Sequence, residues 1–327
     1  MSTKLLRFPA TFLGIALLAA SLPALAQETY PNRLIKIIVP YPAGSSGADI
    51  LARLFGSKLS ERWKVPVVVE NRPGASAVPG HEAIAKSAPN GYTIGFSATS
   101  FTTNVPLVGK LPYDPIKSFE QIALLATNVV AFCIANNVPA KTMAEFLDLA
   151  RRQPGKLNYA SPGNGTPQHL AMELLKLEAK IDVVHVPYKS SAGALTDLVA
   201  GNVQAMVIPL QTAAPHVRNG GLKMLALMSA QRSSAFPNVP TMRELGMPAI
   251  NVETWYGVFA PAGTPPDIVA KWNAEINAVL RQPEVRDSLE KQGLVPAGGP
   301  PERLTHLLKE DIARWTRVVA AAGIKPD

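Results

Sequence analysis

Two glycine-bearing stretches carry the residue types and spacings that suit chemistry. The first is NYASPGNGTPQHL, Asn158 to Leu170, in which Gly163 and Gly165 precede Thr166, Pro167, Gln168 and His169. A Thr-Pro pair before an apolar run predicts a helix start, because Thr166 can accept from an orphan amide while Pro167 has no N–H to leave unpaired. Glycines just ahead of such a start let a ligand approach bare backbone donors at the positive end of a helix dipole. The chemistry that follows is capture of an anion; a tight strand-to-helix turn that binds only water fits the same residues equally well. The second stretch, VPYPAGSSGAD, Val39 to Asp49, also runs from a strand through small residues into a helix, and it holds Tyr41, Ala43, Gly44, Ser45 and Ser46. Ala98-Thr99-Ser100 and Pro187-Tyr188-Lys189-Ser190-Ser191 follow other predicted strands in the same way.

Other chemistries lack their residues. Ser161 is followed by Pro162, no GxSxG elbow occurs, and neither carboxylate nor lysine falls in the glycine loops ahead of their helices, so no catalytic residue is assigned. Neither loop matches GxxxxGK[ST] or a complete GxGxxG, and His81-Glu82 has no second His at the HExxH spacing, so no cofactor and no metal is expected. His169 is read either as a donor to a bound carboxylate or as a capping or solvent-facing residue, and His185 as a satisfied sheet histidine. Tyr41 either roofs the ligand or packs at a domain edge. Asp49 and Arg53, four apart near a helix start, form a local pair, and Trp255 and Tyr256 fall where the chain returns towards its first half.

These residues need elements to position them. Lys4 and Arg7 precede an apolar run from Phe8 to Leu22, and Ala24-Leu25-Ala26 supplies a small-residue cleavage pattern, so residues 1–26 read as a secretory signal and the mature chain begins at Gln27. A periplasmic product follows. Cys133 is the only cysteine, which rules out an intramolecular disulfide. The formal charge of +8 falls to +6 without Lys4 and Arg7; the basic residues form no stripe, so nucleic acid is not an expected partner.

From Leu34 onwards apolar runs bounded by Pro and Gly alternate with helical periodicity, first over 34–96 and again over 129–227. Two βα series imply two similar α/β domains, each a mainly parallel sheet flanked by helices: 27–126, then 127–230, with 231–327 returning to the first domain through helices at 266–280 and 301–322. Ligands bind beyond the carboxyl ends of such strands, so the two glycine loops form the jaws of one cleft.

The chain resembles the tripartite tricarboxylate transporter substrate-binding proteins, the Bug-type periplasmic receptors, through IKIIVPYPAGSSGADILAR, VVVENRPGA, LPYDPIKSF, PGKLNYASPGNGTPQHLAMELLK, VVHVPYKSSAGALTDLVAGNVQAM and WYGVFAPAGTPPDIV. The resemblance implies a two-domain Venus-flytrap receptor, monomeric and non-enzymatic, that passes a solute to membrane transporter subunits. The solute would be a di-, tri- or aromatic carboxylic acid or an acidic amino acid. It also implies a site made of Tyr41, Ala43, Gly44, Ser45, Ser46, Thr99, Ser100, Ser161, Gly163, Asn164, Gly165, Thr166, Pro167, Gln168 and His169. Three departures bear on specificity: Ser45-Ser46 stands where the family usually has Gly and a variable residue, Ala75-Ser76-Ala77 follows ENRPG where a second glycine pair is common, and Met206-Val207-Ile208-Pro209 lacks the acidic or small polar residue of many relatives, which suits a ligand with a hydrocarbon body. Presentation of the ligand to a membrane kinase is the alternative role, and a secreted hydrolase the remote one.

Overall fold

The computed structural model describes residues 30–44 and 47–324; the expected signal and cleavage site, with Ser45 and Ser46 of the first loop, lie outside them. The chain runs β1 (Ile35–Val39), α1 (Gly47–Trp63), β2 (Val67–Asn71), α2 (Val78–Ala85), β3 (Thr93–Ala98) and α3 (Ser100–Leu107) into the long strand β4 (Phe119–Ala135). There follow α4 (Met143–Arg152), β5 (Asn158–Ser161), α5 (Pro167–Ala179), β6 (Val184–Pro187), α6 (Ser191–Ala200), β7 (Ala205–Pro209), α7 (Leu210–Arg218) and β8 (Leu222–Leu227). The return is β9 (Glu253–Pro261), α8 (Pro266–Leu280), α9 (Pro283–Lys291), β10 (Leu294–Pro296) and α10 (Pro301–Ala322).

In each half the strands connected by helices are parallel: β1 with β2 and β3, and β5 with β6 and β7. Antiparallel strands complete both sheets, because β4 and β9 run alongside one another between the halves. From Phe119 to Val129 β4 pairs with β9, and from Val130 onwards it pairs with β7 and β8. One strand therefore serves two sheets, and the handover falls at Val129-Val130. Its sequence, FEQIALLATNVVAFCIA, is buried almost end to end, as a strand covered on both faces must be.

Each half has its own core. Ile35, Leu51, Phe55, Phe96 and Trp272 belong to the first; Phe132, Phe146, Tyr159, Leu174 and Met206 belong to the second. The segment after β8 stays with the second core through Met242, Ile250 and Val252, so the chain crosses back at β9, later than residue 231. Helix α10 does not simply return to the first half. Leu304 and Leu308 pack there, whereas Trp315, Val318 and Val319 join the second core, and Arg317 pairs with Glu178 of α5 at 2.9 Å. The apolar stripe of α10 is long enough to cover both lobes.

Candidate functional site

Between the lobes lie two adjoining cavities of about 490 Å³ and about 310 Å³ that share Tyr41, Ser100 and Pro167. Tyr41 and Pro42 of the first loop and Asn164 to Gln168 of the second line them. Pro167 opens α5, with Thr166 as its N-cap: the Thr166 Oγ1 accepts from the His169 amide at 3.4 Å and donates to the Gly163 carbonyl at 2.8 Å. Because Pro167 has no N–H and Thr166 occupies that of His169, the early amide left for a ligand is that of Gln168.

Thr99 and Ser100 open a helix, α3, and do not form a plain loop. Sequence periodicity misses α3 because SFTTNVPL carries β-branched residues and an internal Pro106, all poor helix formers. The Thr99 side chain does not cap it, since its Oγ1 accepts from the Trp255 amide at 2.9 Å. Gly47 at the start of α1 and Pro209, which precedes α7, line the smaller cavity too. Four helix N-termini thus converge, each worth roughly half a positive charge, and none of the described residues lining either cavity is charged.

The first loop is anchored from behind. The Asp49 carboxylate accepts from the Gly44 amide at 2.7 Å, from Arg53 Nε at 3.0 Å and from Asn71 Nδ2 at 2.7 Å. Although burial pushes its pKa up, those bonds together hold the carboxyl below the usual range. The local pair expected with Arg53 forms, within a larger cluster that reaches β2.

The Tyr41 hydroxyl sits 2.6 Å from Ser100 Oγ, 3.3 Å from Ser97 Oγ and accepts from the Ala98 amide at 3.2 Å, so it ties the first loop to α3. Ser97 in turn meets His81 Nε2 at 2.6 Å, and His81 Nδ1 meets the Tyr113 hydroxyl at 3.0 Å. Burial pushes His81 down to about 3, which keeps it neutral in this chain. Behind α3, the buried Asp311 of α10 accepts from Trp255 Nε1 at 2.8 Å and from the Thr102 hydroxyl at 3.3 Å. No motif marks Asp311 in the sequence.

Of the expected residues, Tyr41, Thr99, Ser100, Asn164, Gly165, Thr166, Pro167 and Gln168 line the cavities. Ala43 and Gly44 are exposed and line neither cavity, although their neighbour Pro42 lines the larger one. Ser161 lies underneath: its hydroxyl meets His185 Nε2 at 2.6 Å and accepts from the Gly163 amide at 3.1 Å. His169 is buried and caps its own loop, its Nδ1 accepting from the Gly165 amide at 3.0 Å while its ring stacks on His185 at 4.0 Å. His169 thus bonds within its own loop, and His185 of β6 is hydrogen-bonded to Ser161. Tyr256, marked in the sequence with Trp255 at the return of the chain, lines the smaller cavity, and walls that the sequence leaves unmarked come from Asn104, Leu107, Asn128 and Thr254.

The model of the tripartite tricarboxylate transporter family receptor matches residues 51–324. The chain belongs to that receptor family. Protein BugT of Bordetella pertussis is 33% identical over 325 residues, covering 99% of this chain and 98% of the relative. A TctC solute-binding protein from Polaromonas superposes with a TM-score of 0.81 at 30% identity, over 90% of this chain and all of the other. The R. palustris Rpa4515 structure with adipate gives 0.74 at 31% identity, over 91% of this chain and all of the other. Among the described residues no helix is long and apolar enough to cross a membrane, and no group of three or more His, Cys, Asp or Glu is placed to hold a metal ion.

Proposed function

We propose that this receptor captures a small carboxylate in the interlobe cleft, outside the cytoplasm, and delivers it to the membrane subunits of a tripartite transporter without chemical change. One observation carries the reading: four helix N-termini meet in a cavity with no charged side chain among its described walls. An anion there is neutralised by aligned peptide dipoles and uncharged donors, and it can leave again because no fixed cation holds it. Adipate in the R. palustris neighbour supports the carboxylate class.

The residues assigned to binding are Tyr41, Thr99, Ser100, Asn164, Gly165, Thr166, Pro167 and Gln168, with Gly47 and Tyr256. Ala43, Gly44, Ser161, Gly163 and His169 shape the loops behind them. The lobes divide at the Val129-Val130 handover and again at Val252-Glu253, and closure bends β4 and β9 there, so that a ligand touching both jaws favours the closed state. Residues 1–26 direct export, and the mature chain acts as a monomer.

A melting screen of the purified mature chain against mono-, di-, tricarboxylic and aromatic acids tests this. A ligand at 100-fold its Kd adds about 2.7 kcal/mol to the folded state. The reading predicts such a shift with at least one acid and none with its primary amide. No shift with any acid, or equal shifts with acid and amide, refutes it.

A further inference from the structure

Several cavity-lining groups carry no role in the binding assignment, among them the buried, polar Asn128. Asn128 stands on β4 two residues before the strand changes sheets, opposite Thr254 of β9. It is only 5% exposed and lines the smaller cavity among the helix starts. Its Oδ1 is buried with no hydrogen-bond partner. An orphaned buried acceptor is costly; Gln211, Asn251 and Gln282 also carry one, but of the four only Asn128 lines an interlobe cavity. Asn128 holds a donor and an acceptor side by side, next to the place where a carboxylate would sit.

We propose that Asn128 is a specificity-determining residue that recognises a hydroxyl group adjacent to the ligand's carboxylate, so that the cleft selects 2-hydroxy carboxylates. This rests on the carboxylate reading above. A hydroxyl is the substituent that matches a carboxamide, because each can donate and accept at once. An ammonium in the same place would face four helix N-termini with no carboxylate among the described cavity walls, and would be repelled and unpaired. Thr254, across the ladder on the same cavity wall, offers a second uncharged partner to the hydroxyl.

The test is titration calorimetry on two matched series: succinate, malate and aspartate, and hexanoate, 2-hydroxyhexanoate and norleucine. In whichever series binds, the hydroxy acid is expected to bind about tenfold more tightly than the unsubstituted acid, the worth of one hydrogen bond, with the amino acid weakest. In Asn128→Leu and Asn128→Ala the hydroxyl preference should collapse to near unity while affinity for the unsubstituted acid stays. Asn128→Leu without ligand should melt no lower than the wild type, because it removes an orphaned polar atom at nearly constant volume. A hydroxyl preference that survives in both variants, an amino or unsubstituted acid that binds tightest, or a lowered ligand-free melting point with an unchanged preference overturns the assignment. If the unsubstituted acid still binds in those cases, the receptor reading stands; if no acid of any class shifts the melting point, that reading falls as well.

Discussion

Replacing Thr166 by Ala removes two bonds from the loop that opens α5, and their geometry sets the cost. The cap to the His169 amide is long at 3.4 Å, which places it at the low end for an N-cap, about 0.5 kcal/mol. The bond to the Gly163 carbonyl, at 2.8 Å, is well formed and contributes about 1 kcal/mol. Together these come to about 1.5 kcal/mol, or about 3–6 °C in Tm at roughly 2–4 °C per kcal/mol for a domain of this size. The same loop lines the cleft, so its ordering would fall to the ligand, and affinity for the best acid of the melting screen should drop on the order of tenfold. Calorimetric melting and titration of Thr166→Ala and Thr166→Ser measure both effects. Serine keeps the hydroxyl and should recover most of each. An alanine variant with wild-type Tm and affinity, or a serine variant as impaired as alanine, would show that the hydroxyl does not hold this loop.

Three further outcomes are expected. Gly165 has a φ of +69°, which strains any residue with a Cβ, and a Cβ there would lie 2.8 Å from Leu107 Cδ1; Gly165→Val should therefore distort the loop that opens α5 and weaken ligand binding, and unchanged affinity in titration calorimetry contradicts this. Asp49→Ala should lower the urea midpoint and the ligand affinity together, because Gly44, Arg53 and Asn71 lose their shared acceptor; a change in stability alone would detach the anchor from binding. The third concerns acid. Burial, with the neighbouring His169, pushes His185 down to about 4, and burial lowers His169 as well. A base whose folded pKa lies below its unfolded value of about 6.5 stabilises the fold fully above that value, and loses the contribution as pH falls through the folded pKa. Stability should thus fall between about pH 6.5 and 4, and less steeply in a His169→Asn, His185→Asn double variant; parallel profiles for the two proteins would refute the assignment.

Much of this architecture is legible in local pattern. The Thr-Pro signal places the start of α5, and the alternation of apolar runs with 3.6-residue periodicity yields two βα series in which the helix-linked strands are parallel. What escapes is what depends on distant partners. The first half of β4 and all of β9 are recognisable only from their pairing with each other, α3 forms against its own propensities because it is held between the first loop and α10, and the division of α10 between two cores leaves no mark in a stripe that repeats evenly. At the site, the glycine loops announce themselves through Gly, Ser and Thr. Asn128 and Asp311 do not, since a single amide in an apolar strand and a single carboxylate in a charged helix look like ordinary surface residues until tertiary packing buries them. His169 is buried too, its Nδ1 accepting from the Gly165 amide four residues back.

The most direct measurement is a co-crystal structure of the mature chain with the acid that gives the largest melting shift. One carboxylate should lie within hydrogen-bonding distance of the amides that open α1 and α3 and of the Gln168 amide of α5, beside Tyr256 and Asn128, with both lobes touching the ligand. A carboxylate seated outside the cleft, or held there chiefly by an arginine, a lysine or a metal ion, would contradict the account.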